Sequence, residues 1–94
     1  MSPLHVSDAP TRAVRLDVLA DAEPGLLPRL LAPLARRDLT PDRLRARRVD
    51  QAMLVELDLD ALPAEMLHLV EGNLRQVVGV RRVTVELRAT IRAA

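Results

Sequence analysis

The stretch Arg43-Leu44-Arg45-Ala46-Arg47-Arg48-Val49-Asp50-Gln51-Ala52-Met53-Leu54-Val55-Glu56-Leu57-Asp58-Leu59 decides how this chain folds. Its first part alternates arginine with Leu44 and Ala46; in its second part Met53, Val55, Leu57 and Leu59 alternate with Leu54, Glu56 and Asp58. A period of two sends successive side chains to opposite faces, so both parts read as strands. Val49-Asp50-Gln51 between them is a short turn, which makes the pair a hairpin.

On each side of the hairpin the sequence offers one helix and one further strand. Towards the N-terminus, Val14, Leu16 and Val18 alternate with Arg15 and Asp17 as a first strand. Asp21 is a plausible N-cap for the helix that follows, and Pro24 suits an early helical position, where its missing N–H costs nothing. Leu27, Leu30, Leu31 and Leu34 form that helix's apolar stripe, and Arg36 and Arg37 lie where the macrodipole favours cations. Pro28 is close enough to the start to be tolerated; Pro33 should remove one backbone bond and kink the helix, costing about 3 kcal/mol if unrelieved. The segment 38–42, with Pro41, connects it to the hairpin.

Towards the C-terminus, Asp60 is a plausible cap for a second helix, with Pro63 near its start. Met66, Val70, Leu74 and Val77 recur at helical spacing, while Glu65, His68, Glu71 and Arg75 point away. Gly72 weakens its middle by about 1 kcal/mol. Gly79 ends the element, and Val83, Val85 and Leu87 then alternate with Arg82, Thr84 and Glu86 as a last strand.

The order is strand, helix, strand, strand, helix, strand. This is an α+β, ferredoxin-like βαββαβ arrangement, a four-stranded antiparallel sheet with two helices on one face. A loose lead-in is expected over 1–12, the domain over 13–87 and a tail over 88–94. The face without helices would carry charges of both signs together with Leu19 and Leu54, uncovered. Its carboxylates are expected to be solvated and ion-paired.

The composition excludes several function classes. The 94 residues suffice for one domain. Net charge is +1, from 14 basic residues, all arginine, against 13 acidic ones, which argues against a mainly electrostatic DNA or membrane binder. Without Phe, Trp or Tyr there is no platform on which bases could stack, so the RNA-binding use of the same scaffold is a minor alternative despite Arg43–Arg48. There is no cysteine for a disulfide, thiolate site or nucleophile. The only serines, Ser2 and Ser7, lie in the lead-in with His5, and His68 has no partner at metal-ligand spacing. Gly25, Gly72 and Gly79 stand alone, so no phosphate loop forms. A non-enzymatic protein without cofactor or metal is expected. Met1–Arg12 has no secretory pattern, and no apolar run approaches the ~20 residues of a membrane span; a cytoplasmic protein is expected.

Val18-Leu19-Ala20-Asp21-Ala22-Glu23-Pro24-Gly25-Leu26-Leu27-Pro28-Arg29-Leu30 resembles the opening of ACT domains, in which an apolar strand enters an acidic loop, then Pro/Ser-Gly, then an apolar helix. Leu34-Ala35-Arg36-Arg37-Asp38-Leu39-Thr40-Pro41-Asp42-Arg43-Leu44 is similar to that family's passage from first helix to second strand. Asn73-Leu74-Arg75-Gln76-Val77-Val78-Gly79-Val80-Arg81-Arg82-Val83 is similar to its entry into the last strand. The resemblance spans about residues 13–87.

Among ACT proteins the chain most resembles the small regulatory subunits of acetolactate synthase, the first common enzyme of branched-chain amino-acid synthesis. That resemblance implies a subunit that binds and activates the large, thiamine-diphosphate-dependent catalytic subunit, forms a homodimer through a sheet edge or the helices, and takes a branched-chain amino acid as effector. It places the effector site at Asp21, Ala22, Glu23, Gly25, Leu26, Leu27 and Thr40. Gly25, lacking a Cβ, would let backbone N–H groups approach the effector's carboxylate. Valine-sensitive members carry asparagine where this chain has Ala22 and Thr40, and a helix-ending glycine where it has Asp38. The resemblance therefore implies an activating subunit with weak or absent valine sensitivity. A free-standing amino-acid-sensing domain serving another enzyme is the alternative.

Overall fold

The structure, a computed structural model, describes residues 10–88. Ser2, His5 and Ser7 of the expected lead-in, and the tail beyond Arg88, lie outside the described residues. Strand β1 is Thr11–Asp21, helix α1 Leu26–Arg36, β2 Arg43–Val49, β3 Ala52–Pro63, α2 Leu67–Arg75 and β4 Val80–Arg88. The four strands form one sheet in the order β2-β3-β1-β4, every neighbouring pair antiparallel. This is the βαββαβ ferredoxin-like fold that the alternation around the hairpin predicts.

Both helices cover one face. Val14, Leu16, Val18 and Ala20 of β1, Val55, Leu57 and Leu59 of β3 and Val83 of β4 are buried there against Leu26, Leu30 and Leu34 of α1 and Val70 and Leu74 of α2. β1 and β3, central in the sheet, supply most of this core, and β2 at one edge supplies none of it. Leu57, Leu16 and Val85 lie side by side across β3, β1 and β4.

Helix α1 runs unbroken through Pro33. Its buried stripe is Leu26, Leu30, Pro33 and Leu34, at i, i+4, i+7 and i+8, and the expected Leu27 and Leu31 flank it half-buried. Pro33 thus contributes an apolar ring to the core where the helix loses a hydrogen bond. The N-cap is Gly25, in the left-handed region at φ 82, and no side chain caps the helix; Asp21 instead ends β1. At the other end Asp38 takes the left-handed position, φ 57. Leu39 N–H donates to Leu34 O at 2.9 Å and Asp38 N–H to Ala35 O at 3.1 Å, which closes the last turn as a Schellman motif. The family's glycine at this position has its physical reason in that backbone angle.

Asp60 does not cap the second helix. β3 continues to Pro63, with one extra residue bulged between Leu59 and Leu62 opposite β1, and that bulge returns Leu62 to the core. A 3₁₀ turn over Ala64–Met66 follows, and α2 begins only at Leu67, without a side-chain cap.

Candidate functional site

Two surfaces carry the chemistry. The first is the end of the sheet where β1 passes into α1. Asp21 N–H donates to Gly79 O at 2.9 Å, and Ala22 N–H donates to Gln51 O at 2.9 Å in the β2–β3 turn. The junction is therefore tied to both neighbouring loops. The Asp21 carboxylate accepts from Arg81 Nε at 2.6 Å, and Glu23 pairs with Arg29 at 3.2 Å. Leu26 is buried, Leu27 half-buried, and no atom beyond Gly25 and its two chain neighbours lies within 4 Å of where a Gly25 Cβ would stand. The structure so brings together Asp21, Ala22, Glu23, Gly25, Leu26 and Leu27. Thr40 lies past the far end of α1, a helix of eleven residues and about 16 Å. Within a single chain it does not reach the others.

The second surface is the sheet face opposite the helices, where register alone sets the neighbours. Arg43, Asp58, Arg15 and Glu86 stand in one row; Arg45, Glu56, Asp17 and Thr84 in the next; Arg47, Leu54, Leu19 and Arg82 in the third. Leu19 and Leu54 lie side by side and are half-buried, so each covers part of the other.

Asp58 corrects the expectation of solvated carboxylates. Its side chain is only 7% exposed, because Arg15 on β1 and Arg43 on β2 flank it in register and Arg88 reaches it from β4. Arg15 Nε donates to Oδ1 at 2.9 Å, Arg43 Nε to Oδ2 at 3.1 Å, and Arg88 Nη1 lies 3.2 Å from Oδ1. The hydrogen bond from Arg15 holds the carboxyl at about 2, with Arg43 and Arg88 adding to it and burial opposing. Arg43 Nη2 also donates to Asp60 at 2.8 Å, and Asp60 N–H to Asp42 Oδ2 at 2.6 Å. The sequence places Asp58 on a charge-paired outer face opposite the arginines, but does not show its burial. Only register reveals an arginine on either side.

Asp17 is its opposite. Oδ1 is buried and accepts no hydrogen bond among the described residues. Burial pushes its carboxyl up, and the neighbouring Glu56 carboxylate pushes it further. Asp17, Glu56 and Leu54 floor a depression of about 330 Å³ framed by Arg45, Arg47 and Arg82. An acid whose folded value is raised weakens the fold when ionised, and protonation relieves that strain as pH falls through the raised value. Asp17→Asn is accordingly expected to raise the thermal midpoint at neutral pH by a few degrees, about 1 kcal/mol or less. It should also flatten the rise in stability that the parent shows on mild acidification; an unchanged or lower midpoint in calorimetry would contradict the assignment.

This face offers charge recognition. Glu56 is partly exposed and Thr84 is exposed. Among the described residues no three metal-binding side chains come together, and no helix is long and apolar enough to cross a membrane. His68 is exposed on α2.

A four-stranded antiparallel sheet with two helices on one face defines a ferredoxin-like α+β domain. The ACT-like domain family matches residues 7–92, and the chain belongs to that family. Such a domain is a small regulatory, ligand-sensing fold and is not typically catalytic. The fold is shared with an uncharacterized protein of Thermotoga maritima (TM-score 0.68, 16% identity, 82% of this chain and 96% of that one). It is also shared with the C-terminal domain of the MgtC protein from Mycobacterium tuberculosis (TM-score 0.65, 15% identity, 90% and 96%). No curated protein matches the chain.

Proposed function

We propose that this chain is a non-catalytic regulatory subunit that binds a larger enzyme and raises its activity, the enzyme being the large catalytic subunit of acetolactate synthase. Membership of the ACT-like family supports the regulatory role, and the chain's resemblance, within that family, to the small subunits of acetolactate synthase suggests the partner. The observation that carries a binding role is β2. All seven of its residues are exposed at a sheet edge, and four of them are arginines. An unpaired edge with Arg43, Arg45, Arg47 and Arg48 suits an acidic segment of a partner, to which it offers both backbone hydrogen bonds and charge.

Affinity capture with the tagged chain from its own cells, followed by mass spectrometry, tests the partner. Recovery of the acetolactate synthase large chain is expected; reproducible recovery of a different enzyme in its place would reject the assignment. Arg45→Glu/Arg47→Glu alters two exposed side chains and should cut recovery at least tenfold while the thermal midpoint stays within a few degrees. Undiminished capture would remove β2 from the contact.

With Ala22 and Thr40 where valine-sensitive members have asparagine, valine regulation is weak or absent in this reading. Calorimetric titration with valine, leucine and isoleucine should show no micromolar binding. Micromolar binding would move the reading to an amino-acid-sensing domain.

A further inference from the structure

We propose that the depression on the outer sheet face seats one lysine side chain of the partner protein, a lysine flanked by acidic residues. The proposal rests on the regulatory-subunit reading for the existence of a partner and adds the chemistry of the contact. Glu56, Asp17 and Thr84 are direct neighbours in one cross-sheet row, on β3, β1 and β4. Leu54 and Leu19 are direct neighbours in the next row, and Arg47 and Arg82 close that row at its two ends. Arg45 stands beside Glu56 on β2. Asp17, Glu56, Thr84, Leu54 and the three arginines line the depression of about 330 Å³. It is acidic at its centre, apolar to one side and basic at its rim.

These charges are poorly answered within the chain. Asp17 Oδ1 is shut off from water and accepts no hydrogen bond among the described residues. Arg47 and Arg82 enter no ion pair among the described residues, and Arg45 Nε lies 4.0 Å from Glu56 Oε1, at the outer limit of one. Exposed arginines keep their water and cost little, whereas a carboxylate denied both water and a donor weakens the fold while it is ionised. Burial and the Glu56 carboxylate both push the Asp17 carboxyl up, in keeping with a missing cation.

A negative centre inside a positive rim asks for the converse in its occupant. A polyanion would bring its own charge against Asp17 and Glu56. A bare metal ion would lack ligands, since no three metal-binding side chains come together among the described residues. An ammonium carries three donors, and Glu56, Asp17 and Thr84 offer it adjacent acceptors. The apolar stem of a lysine can lie over Leu54 and Leu19 while its head stays at the carboxylates. Acidic residues on either side of that lysine then meet Arg45 and Arg47 on one wall and Arg82 on the other. β2 and β4 are three strand spacings apart, about 14 Å, which admits one peptide segment between the walls. Arg45 and Arg47 also belong to the edge that β2 offers a partner, so a partner engaged there already stands beside the seat.

Nuclear magnetic resonance of the isotope-labelled full-length chain, titrated with acetyl-Asp-Glu-Lys-Glu-Asp-amide, tests the seat. Amide shifts are expected at Asp17, Leu19, Leu54, Glu56 and Thr84. Norleucine in place of the peptide's lysine keeps the stem and removes the ammonium, and should weaken binding by about tenfold or more; so should Asp17→Asn/Glu56→Gln in the chain. If the arginine rim alone governed binding, both changes would strengthen it, because the peptide becomes more negative or the chain more positive. Asp17→Asn is expected to stabilise the free chain, so lost binding would not come from unfolding. Equal or tighter binding after either change, or no shifts at roughly 10 mM peptide, overturns the proposal. In the capture experiment Asp17→Asn/Glu56→Gln should recover about tenfold less of the acetolactate synthase large chain than the parent does. Undiminished recovery overturns the seat and leaves the partner assignment standing. A parent chain that recovers no such enzyme counts against the regulatory-subunit reading, and the peptide titration then decides the seat by itself.

Discussion

Leu16→Ala is expected to lower the thermal midpoint by about 15–30 °C, the largest effect of any single truncation described for this chain. Leu16 is 0% exposed at the middle of β1, between Leu57 and Val85 and beneath the helices. Removing three buried carbons costs their transfer free energy plus the cavity left behind, about 3–4 kcal/mol. A domain of this length has only about 5–14 kcal/mol in total. Apart from Pro33 the core consists of leucine, valine and one alanine, so no aromatic ring is at hand to swing into the gap. Leu44→Ala is the control: it lies in the same cross-sheet row, next to Leu57, but on the edge strand and 40% exposed, and should cost less than about 1 kcal/mol. Similar losses from both, measured by urea unfolding, would show that the core is not centred on β1.

Asp58→Asn is expected to cost about 2 kcal/mol at neutral pH. The substitution keeps the shape and removes the charge, leaving Arg15, Arg43 and Arg88 to repel one another around a neutral group. The arginines are 29%, 57% and 38% exposed and can regain water, which keeps the loss below that of a fully buried triad. The pH dependence follows in sign from the depressed value. In the folded chain Asp58 titrates at about 2, below the ordinary 3.8, so its contribution is complete above about 4 and is lost as pH falls towards 2. Urea midpoints between pH 2 and 7 should show this acid limb in the parent and a shallower one in Asp58→Asn. Parallel curves would mean that the arginine cluster does not hold the carboxylate.

Most of the fold is legible in local pattern. The alternation at Val14–Val18, Met53–Leu59 and Val83–Leu87 places those residues on the correct face, because a half-buried strand has a strict period of two. What failed depends on residues distant in sequence. Asp60 looks like a cap because Asp before an apolar periodic run usually is one. Its real position follows from a bulge that exists only against β1. Pro33 argues for a kink because its ring and missing N–H do not suit a helix interior; the leucine stripe carries the helix through it, and the ring lies at a core position where burial offsets the lost bond. In the candidate site, Asp21 to Leu27 are contiguous and so stay together in any fold, while Thr40 is separated from them by the length of α1. Asp58 is legible as an ion-pair partner on the outer face, but its burial among three arginines is not, because that depends on register.

The central claim is that the chain acts on the rate of a larger enzyme by binding it through the arginine-lined β2. The direct measurement is the rate of acetolactate formation by the purified large subunit of acetolactate synthase as this chain is titrated in. A saturable several-fold rise, abolished by Arg45→Glu/Arg47→Glu and little changed by valine, is the predicted result. A rate that does not respond to the chain at any concentration, or a rise that the double variant reproduces in full, would contradict it.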